Sequence, residues 1–371
     1  MSNRTKKILK IITIILVVVF VGLLIYNLFF KKKTPVIPTA PGEEVIISDE
    51  FAPEVKDRLI ALTEEAVLGA GLKGDSSIIY VAWDGQINTI DFDGDKNQKI
   101  GAVPGERTGE VKISANGGLI GLKQTLPSGA VRRVVFDAEK KNLRSLPQNT
   151  EDLSFDPEGK NIIISLAETG VGALTALDAD GLKQTRLTTT KIPDLVLEWF
   201  SPNIVALKTK PSGLAYGLLY VLDTKTKKIS RVIGSTYGLT ASFSPSGNRI
   251  LYTKTDSDGR DLELNVLNRD KKTELNLNIM SLPEKCAWSQ DNRTLFCGAI
   301  NTESDPVMPD DYYKDKIESS GEDIVRINLD TGQTQKLIGG FMNVSKPFLA
   351  PDESYLFFVN KKDGRLYRLT L

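Results

Sequence analysis

The sequence of 371 residues contains no histidine and only two cysteines. The missing imidazole excludes Ser-His-Asp and Cys-His nucleophile systems, histidine general bases and every histidine-ligated metal site. Two cysteines are too few for a four-thiolate zinc site. The sequence also lacks a GxSxG turn, a phosphate-binding P-loop and a GxGxxG loop after a strand. It therefore predicts no catalytic residue, no cofactor and no metal site.

Charge is balanced over the whole chain, with 47 basic and 47 acidic side chains, but it is unevenly distributed. Residues 1–33 hold seven basic side chains and no acidic ones, which leaves 40 basic and 47 acidic side chains in residues 34–371, a net charge of about −7. A net-negative domain is repelled by phosphate backbones. The distribution therefore argues against nucleic acid as a partner.

One long apolar run lies near the N-terminus, from Ile11 to Phe30, and it contains no charged residue. Twenty helical residues span about 30 Å, the thickness of a hydrocarbon core. The run is too long for a signal peptide and is followed by three lysines, Lys31 to Lys33, without a small-x-small cleavage site. We predict a transmembrane helix over 11–30 after a short cytoplasmic segment, 1–10.

The following segment, 31–53, is a proline-rich linker that holds the next domain away from the bilayer. A small excess of positive charge on the N-terminal side of the apolar run orients the N-terminus inside. The sequence therefore predicts that the domain at 54–371 lies outside the cytoplasmic membrane. A domain that faces the cytoplasm is the alternative.

Two hairpin patterns alternate along residues 54–371. The first joins two apolar strands through a turn of Ser, Pro, Asp and Gly, as in Ser154 to Ser165 and Ser242 to Thr253. The second is a strand that ends in Asp, a polar turn and another strand, as in Leu177 to Leu187. Turns of the first kind begin 42, 45, 43, 45 and 61 residues apart, at Ser114, Asp156, Ser201, Ser244, Ser289 and Ala350. Two hairpins per repeat make four strands, the content of one propeller blade.

The SPxG hairpin at 244–247 and the LDxxTG-like hairpin at 329–337 resemble the TolB-type, WD-repeat-like propellers. That family includes the propeller domains of prolyl oligopeptidases. The resemblance covers Val55 to Leu371 and implies an all-β, seven-bladed propeller of four-stranded antiparallel blades. It implies no activity, because this chain lacks the histidine and the hydrolase domain of the oligopeptidases. It also lacks the separate N-terminal domain of TolB.

Alignment of the hairpins gives seven blades, the last with only three strands of its own, at 66–100, 109–146, 151–187, 195–233, 238–277, 284–338 and 346–371. The segment 58–62, with the sequence RLIAL, has strand character and is predicted to complete the seventh blade, which leaves no open edge. In the alternative interpretation, Val55 to Ala70 form an amphipathic helix.

Two groups of residues could carry metal or redox chemistry. Asp91, Asp93 and Asp95 resemble the start of a calcium loop, but the glycine and glutamate that such a loop requires are missing, so a hairpin turn is predicted there. Cys286 and Cys297 flank a turn that would place them opposite each other on adjacent strands. A disulfide and a pair of small buried thiols both remain open.

An insertion in blade six runs from Asn301 to Glu322 and is acidic. It also carries four apolar or aromatic residues that are typical of a partner-binding loop, Met308, Tyr312, Tyr313 and Ile317. The alternative is a solvated loop.

With a rigid ring and no catalytic motif, the sequence predicts a non-enzymatic scaffold that binds a protein or a cell-envelope polymer. A carbohydrate-active enzyme with paired carboxylates and a cytoplasm-facing scaffold are the alternatives.

Overall fold

The computed structural model describes residues 57–103, 107–317 and 321–371. The predicted cytoplasmic segment, the transmembrane helix at 11–30 and the linker at 31–53 all lie outside these described residues. Within the described ranges, no helix is long and apolar enough to cross a membrane.

Seven four-stranded antiparallel sheets follow one another along the chain, which confirms the predicted seven-bladed propeller. Strands are numbered in chain order, and each blade is given from its innermost to its outermost strand. Blade one contains β2 (Val67–Leu72), β3 (Ser77–Ala82), β4 (Gln86–Asp91) and β5 (Gln98–Ala102). Blade two contains β6 (Arg107–Ile113), β7 (Leu119–Thr125), β8 (Val131–Asp137) and β9 (Asn142–Ser145). Blade three contains β10 (Thr150–Phe155), β11 (Asn161–Glu168), β12 (Val171–Asp178) and β13 (Gln184–Thr190).

Blades four to six follow the same plan. Blade four contains β14 (Val196–Ser201), β15 (Ile204–Lys208), β16 (Tyr216–Asp223) and β17 (Ile229–Tyr237). Blade five contains β18 (Ala241–Phe243), β19 (Arg249–Lys254), β20 (Glu263–Asn268) and β21 (Thr273–Asn276). Blade six contains β22 (Cys286–Trp288), β23 (Thr294–Asn301), β24 (Gly321–Asn328) and β25 (Thr334–Met342). A 3₁₀ turn (Pro283–Lys285) precedes β22, and the blade-six insertion contains one short helix, α1 (Asp310–Tyr313).

The seventh blade joins the two ends of the domain. It consists of β26 (Val344–Leu349), β27 (Tyr355–Asn360), β28 (Leu366–Thr370) and β1 (Leu59–Ala61). β1 pairs antiparallel with β28, so that Leu59 lies opposite Leu369. Because this pairing closes the ring, the innermost strands of all seven blades surround one central channel.

The hairpins form where the sequence combines an apolar run with a tight turn. In blade three, Ile162, Ile163 and Ile164 of β11 are fully buried, which matches a strand packed on both faces. The preceding turn is closed by the Gly159 amide, which donates to the Asp156 carbonyl at 2.9 Å. Gly159 adopts a positive φ of 68°, which a residue without a side chain reaches at little cost.

Cys286 and Cys297 are joined by a disulfide across β22 and β23, with an S–S distance of 2.13 Å. The bond links residues 11 positions apart and therefore restricts a short loop of the unfolded chain. We expect replacement of both cysteines by alanine to lower the free energy of unfolding by about 2–3 kcal/mol. Chemical denaturation of both proteins, with and without reductant, would measure this difference in the free energy of unfolding. The double variant should not respond to reductant, and equal stability of the two proteins would contradict the prediction.

Candidate active site

β-bulges interrupt two of the innermost strands at charged residues. In β6 the register shifts between Thr108 and Val111, and Glu110 lies in that bulge. In β26 it shifts between Ser345 and Phe348, at Lys346, whose φ is 49°. Bulges re-aim side chains and are common beside active sites, and a positive φ at a residue other than glycine is also enriched there.

A carboxyl and a phenol meet at the entrance of the channel. Glu284 lies in the 3₁₀ turn before β22, and its Oε2 accepts a hydrogen bond of 2.5 Å from the Tyr313 hydroxyl. Tyr313 ends helix α1, which is held in place because Asp310 Oδ2 accepts the Gly213 amide at 2.7 Å. The insertion of blade six thus places Tyr313 in contact with Glu284, which lies between blades five and six.

Glu284 is an exposed residue, and protein atoms are packed around one side of its carboxyl group. This burial raises the pKa of Glu284 above its usual range. The Tyr313 hydrogen bond and the positive charges of Lys285, Lys208 and Lys346 act in the opposite direction without cancelling the effect. A raised pKa favours the protonated form, which can give a proton to a leaving group.

Lys346 faces carboxylates from two other blades. Burial lowers the pKa of its ammonium group, and the charge of Lys112 lowers it further. The carboxylates of Glu110 and Glu284 act in the opposite direction, so Lys346 lies within electrostatic reach of both. Its Nζ donates a hydrogen bond of 3.4 Å to the Leu68 carbonyl. A lysine with a lowered pKa releases its proton more readily and can act as a general base.

Glu110 belongs to a charged network that links blades two and three. Burial opposes its ionisation, but Lys112 and Arg133 outweigh burial and hold the pKa of Glu110 below its usual range. Arg133 Nη1 lies 3.2 Å from Glu110 Oε2, and Lys112 Nζ lies 3.5 Å from Glu110 Oε1 and 2.8 Å from Asp152 Oδ1. The lowered pKa of Glu110 favours its ionised form, whereas the raised pKa of Glu284 favours the protonated form. Two carboxyl groups with pKa values shifted in opposite directions are the usual basis of acid and base roles.

One cavity lies against Glu284 and Tyr313, and a second, larger cavity shares Lys208 with it. One, of about 80 Å³, is lined by Lys208, Glu284 and Tyr313, and the other, of about 460 Å³, is lined by Lys112, Glu198 and Lys208. Lys208 borders both cavities and is held by Glu198 Oε2 at 2.8 Å. The larger cavity has a volume usual for small-ligand sites, but it is not lined by Glu110, Glu284, Tyr313 or Lys346.

The structure corrects the predicted partner-binding loop. Met308 is 1% exposed and Tyr312 is 8% exposed, and both pack against Leu282 and Ile300. These two side chains stabilise the insertion and cannot form a contact surface, because aromatic and apolar residues in an acidic loop also suit a small core. Ile317 is partly buried against the same cluster, and only Tyr313, 44% exposed, reaches an accessible site.

The acidic segment at 91–97 forms a turn. Asp91 Oδ1 accepts the backbone amides of Asp95 and Lys96, and Asp93 Oδ1 is paired with Arg368 Nη1 at 2.6 Å. Across the described ranges, no group of three or more His, Cys, Asp or Glu side chains is arranged to hold a metal ion.

No family model matches the chain, and no curated protein matches it by sequence. An oligogalacturonate lyase in complex with manganese is similar in structure, with a TM-score of 0.62 and 12% identity over 84% of this chain and 93% of the lyase. An oligogalacturonate lyase from Vibrio parahaemolyticus has a TM-score of 0.58 and 11% identity, with the same coverage. A chain of a mitotic checkpoint complex has a TM-score of 0.56 and 11% identity over 92% of this chain and 99% of that chain. At these identities the likeness shows the propeller fold alone.

The comparisons contradict the sequence-based prediction of a non-enzymatic scaffold and of a protein that is not an enzyme. Two of the similar propellers are lyases, so this fold also occurs in enzymes. The prediction was wrong because it equated the absence of histidine with the absence of catalytic groups. Glutamate, lysine and tyrosine also transfer protons when their environment adjusts their pKa values.

Proposed function

We propose that this propeller is a carbohydrate-active enzyme that cleaves an oligosaccharide bearing carboxylate groups. The proposal rests on the hydrogen bond between Tyr313 and Glu284 and on the electrostatic interaction of Lys346 with Glu110 and Glu284. Four different parts of the ring thus supply an acid, a carboxylate and a base. The two lyase neighbours support a carboxylated substrate, since oligogalacturonate consists of uronate units. Lysine side chains along the channel suit such an anionic ligand.

The reaction that suits these groups is β-elimination. Neutral Lys346 takes the proton from the carbon next to the sugar carboxylate, and that electron pair forms a carbon–carbon double bond. The bond between the adjacent carbon and the glycosidic oxygen then breaks. Protonated Glu284 gives its proton to the departing oxygen, and Tyr313 holds the Glu284 carboxyl in place. The products are one chain with an unsaturated end and one with a free hydroxyl.

The described part of the chain offers no site for a manganese ion such as that of the first lyase. The chain contains no histidine, and its described residues offer no cluster of three or more metal-ligating side chains. The proposed reaction therefore uses side chains of the protein for each proton transfer.

Product analysis tests the proposal. The purified full-length protein is incubated with trigalacturonate, and the products are followed by ultraviolet absorbance and by a reducing-end assay. Elimination creates a double bond conjugated to a carboxylate, so both signals are expected to rise together. New reducing ends without absorbance would indicate hydrolysis by Glu110 and Glu284. The absence of both signals with polymers of different uronates would contradict the proposal.

The pH dependence of kcat/KM should be bell-shaped, because Glu284 must be protonated and Lys346 must be neutral. Neutral Lys346 is lost as the pH falls, so its lowered pKa sets the acid limb, and protonated Glu284 is lost as the pH rises, so its raised pKa sets the alkaline limb. The Tyr313 hydrogen bond lowers the pKa of Glu284. Tyr313→Phe should therefore raise that pKa and move the alkaline limb to higher pH. Tyr216→Phe is the control, and an unmoved limb in Tyr313→Phe would remove Glu284 from the acid role.

We further propose that the apolar run at 11–30 anchors the enzyme, with the propeller outside the cytoplasmic membrane. The disulfide supports this orientation, since such bonds persist in oxidising compartments. Protease treatment of intact and lysed cells separates the two orientations, and protection in intact cells would reverse ours. A closer relation to TolB-type or WD-repeat-like propellers is also a proposal, which the hairpin sequences support.

A further inference from the structure

The exposed large apolar side chains of the described residues are concentrated in one type of connection. Five of the six lie in or beside the loop between the second and third strands of a blade: Trp83 (71% exposed), Val131 (45%), Leu214 (61%), Tyr216 (60%) and Tyr313 (44%). The sixth, Leu182, is 84% exposed and lies between the third and fourth strands of blade three.

Those five residues share the face that carries the candidate active site. In an antiparallel four-stranded blade, the loop between strands two and three and the connection to the next blade lie at the same end. Thr209 and Pro211, from the second-to-third connection of blade four, line a cavity together with Glu284 and Tyr313. The turn with Leu182 lies at the opposite end of its blade.

Trp83 and Tyr216 stand on opposite sides of the channel, because blades one and four are three steps apart in a ring of seven. The backbone of Trp83 and the ring of Tyr216 are held in place. The Trp83 amide donates to the Ala66 carbonyl at 2.9 Å, and the Tyr216 ring packs on the Tyr237 ring with centroids 4.2 Å apart. Each ring nevertheless leaves most of its surface to solvent. A fixed and exposed aromatic face is an incomplete stacking site.

We infer that Trp83 and Tyr216 are stacking platforms for sugar rings of a long carboxylated chain, which lies across the channel entrance. This inference rests on the proposed function and extends it, because it makes the preferred substrate a polymer of many units. The apolar C–H face of a sugar ring stacks on an aromatic ring, while its hydroxyl and carboxylate groups remain in water. A chain seated on both platforms would cross the entrance where Glu284, Tyr313 and Lys208 lie.

The platforms fit a sugar chain better than a protein partner. A stable protein interface buries about 800 Å² on each partner around a contiguous centre. Here the exposed rings are separated by the channel, and each has polar neighbours, such as Asp84 beside Trp83 and the Tyr237 hydroxyl beside Tyr216. Two rings on opposite sides of an opening match an extended ligand that bridges the opening.

Binding assays with two chain lengths test the inference. The full-length protein with Glu284→Gln, which should not cleave, is titrated with polygalacturonate and with digalacturonate. Trp83→Ala and Tyr216→Ala should each weaken polymer binding about tenfold, because loss of one stacked ring costs on the order of 1 kcal/mol. Neither should change digalacturonate binding by more than about twofold. Leu182→Ala is the matched control, since it removes an equally exposed apolar side chain from the other face.

Each other outcome overturns the inference in a recognisable way. Unchanged polymer affinity in both variants, or equal losses for the polymer and the disaccharide, would remove the platform role and leave the proposed activity intact. A change in oligomeric state of Trp83→Ala in light scattering, with polymer affinity retained, would assign the rings to a protein interface. Failure of the Glu284→Gln parent to bind the polymer would also overturn it, while the product assay with trigalacturonate tests the proposed function separately.

Discussion

Replacement of Glu284 by glutamine should reduce kcat for trigalacturonate about 10²- to 10⁴-fold, which is the usual contribution of a general acid. The amide keeps the shape of the side chain and still accepts the Tyr313 hydrogen bond, but it cannot release a proton. KM should change little, since the substitution removes a group needed only when the leaving oxygen becomes charged. Initial rates measured by ultraviolet absorbance give both constants.

Two further variants make the result specific. Lys346→Met removes the proposed base and should reduce kcat by a similar factor, and the double variant should be little worse than either single one, because acid and base act in one step. Glu263→Gln is the control, since its carboxylate forms an ion pair with Lys254 at 3.1 Å on the outer part of blade five. If Glu284→Gln retained half of the wild-type kcat, the acid would have to be another residue.

Replacement of Lys285 by methionine should lower the free energy of unfolding by about 3–5 kcal/mol. Lys285 is fully buried, and its Nζ lies 2.8 Å from Glu322 Oε1. Glu322 Oε2 in turn accepts the Val344 amide at 2.8 Å, so the pair links blade six to blade seven. Removal of the lysine leaves a carboxylate in the interior without a compensating charge. Burial raises the pKa of Glu322, so part of the penalty can be avoided by protonation.

Urea denaturation of three variants checks this. The double variant Lys285→Met/Glu322→Leu should recover much of the lost stability, because replacing both charged residues of a buried pair by apolar ones often leaves stability unchanged. Lys254→Met is the exposed comparison and should cost less than about 1 kcal/mol. A single Lys285→Met variant as stable as wild type would mean that the pair contributes little to the joining of the two blades.

Local patterns in the sequence contain most of the information about the fold. The buried run Ile162–Ile164, followed by the Asp-terminated strand at Leu177, specifies a hairpin within about 25 residues, and repetition of that unit specifies a ring. The sequence did not predict that Met308 and Tyr312 of the insertion are buried. They pack against Leu282, which belongs to the connection between blades five and six. Contacts of that kind leave no periodic signal.

The candidate site could not be predicted for the same reason. Glu110, Glu284 and Lys346 belong to different blades and share no motif, and each is one of many charged residues in a chain with 47 acids. Glu110 and Lys346 lie at bulges, which are set by pairing irregularities rather than by residue type. The only local hint is Lys346 before Pro347, since a residue before proline is restricted in conformation.

The pairing of Leu59 with Leu369 has a consequence for the order in which the domain matures. Residues at the two ends of the propeller sequence must meet before the last sheet is complete, so the final step of folding has a very high sequence separation. Nascent chains that still lack β28 expose the unpaired edge of β27, and β1 has no strand to join. Such chains are open to aggregation and degradation. If the chain crosses a membrane during synthesis, its seventh blade would stay incomplete until β28 has emerged.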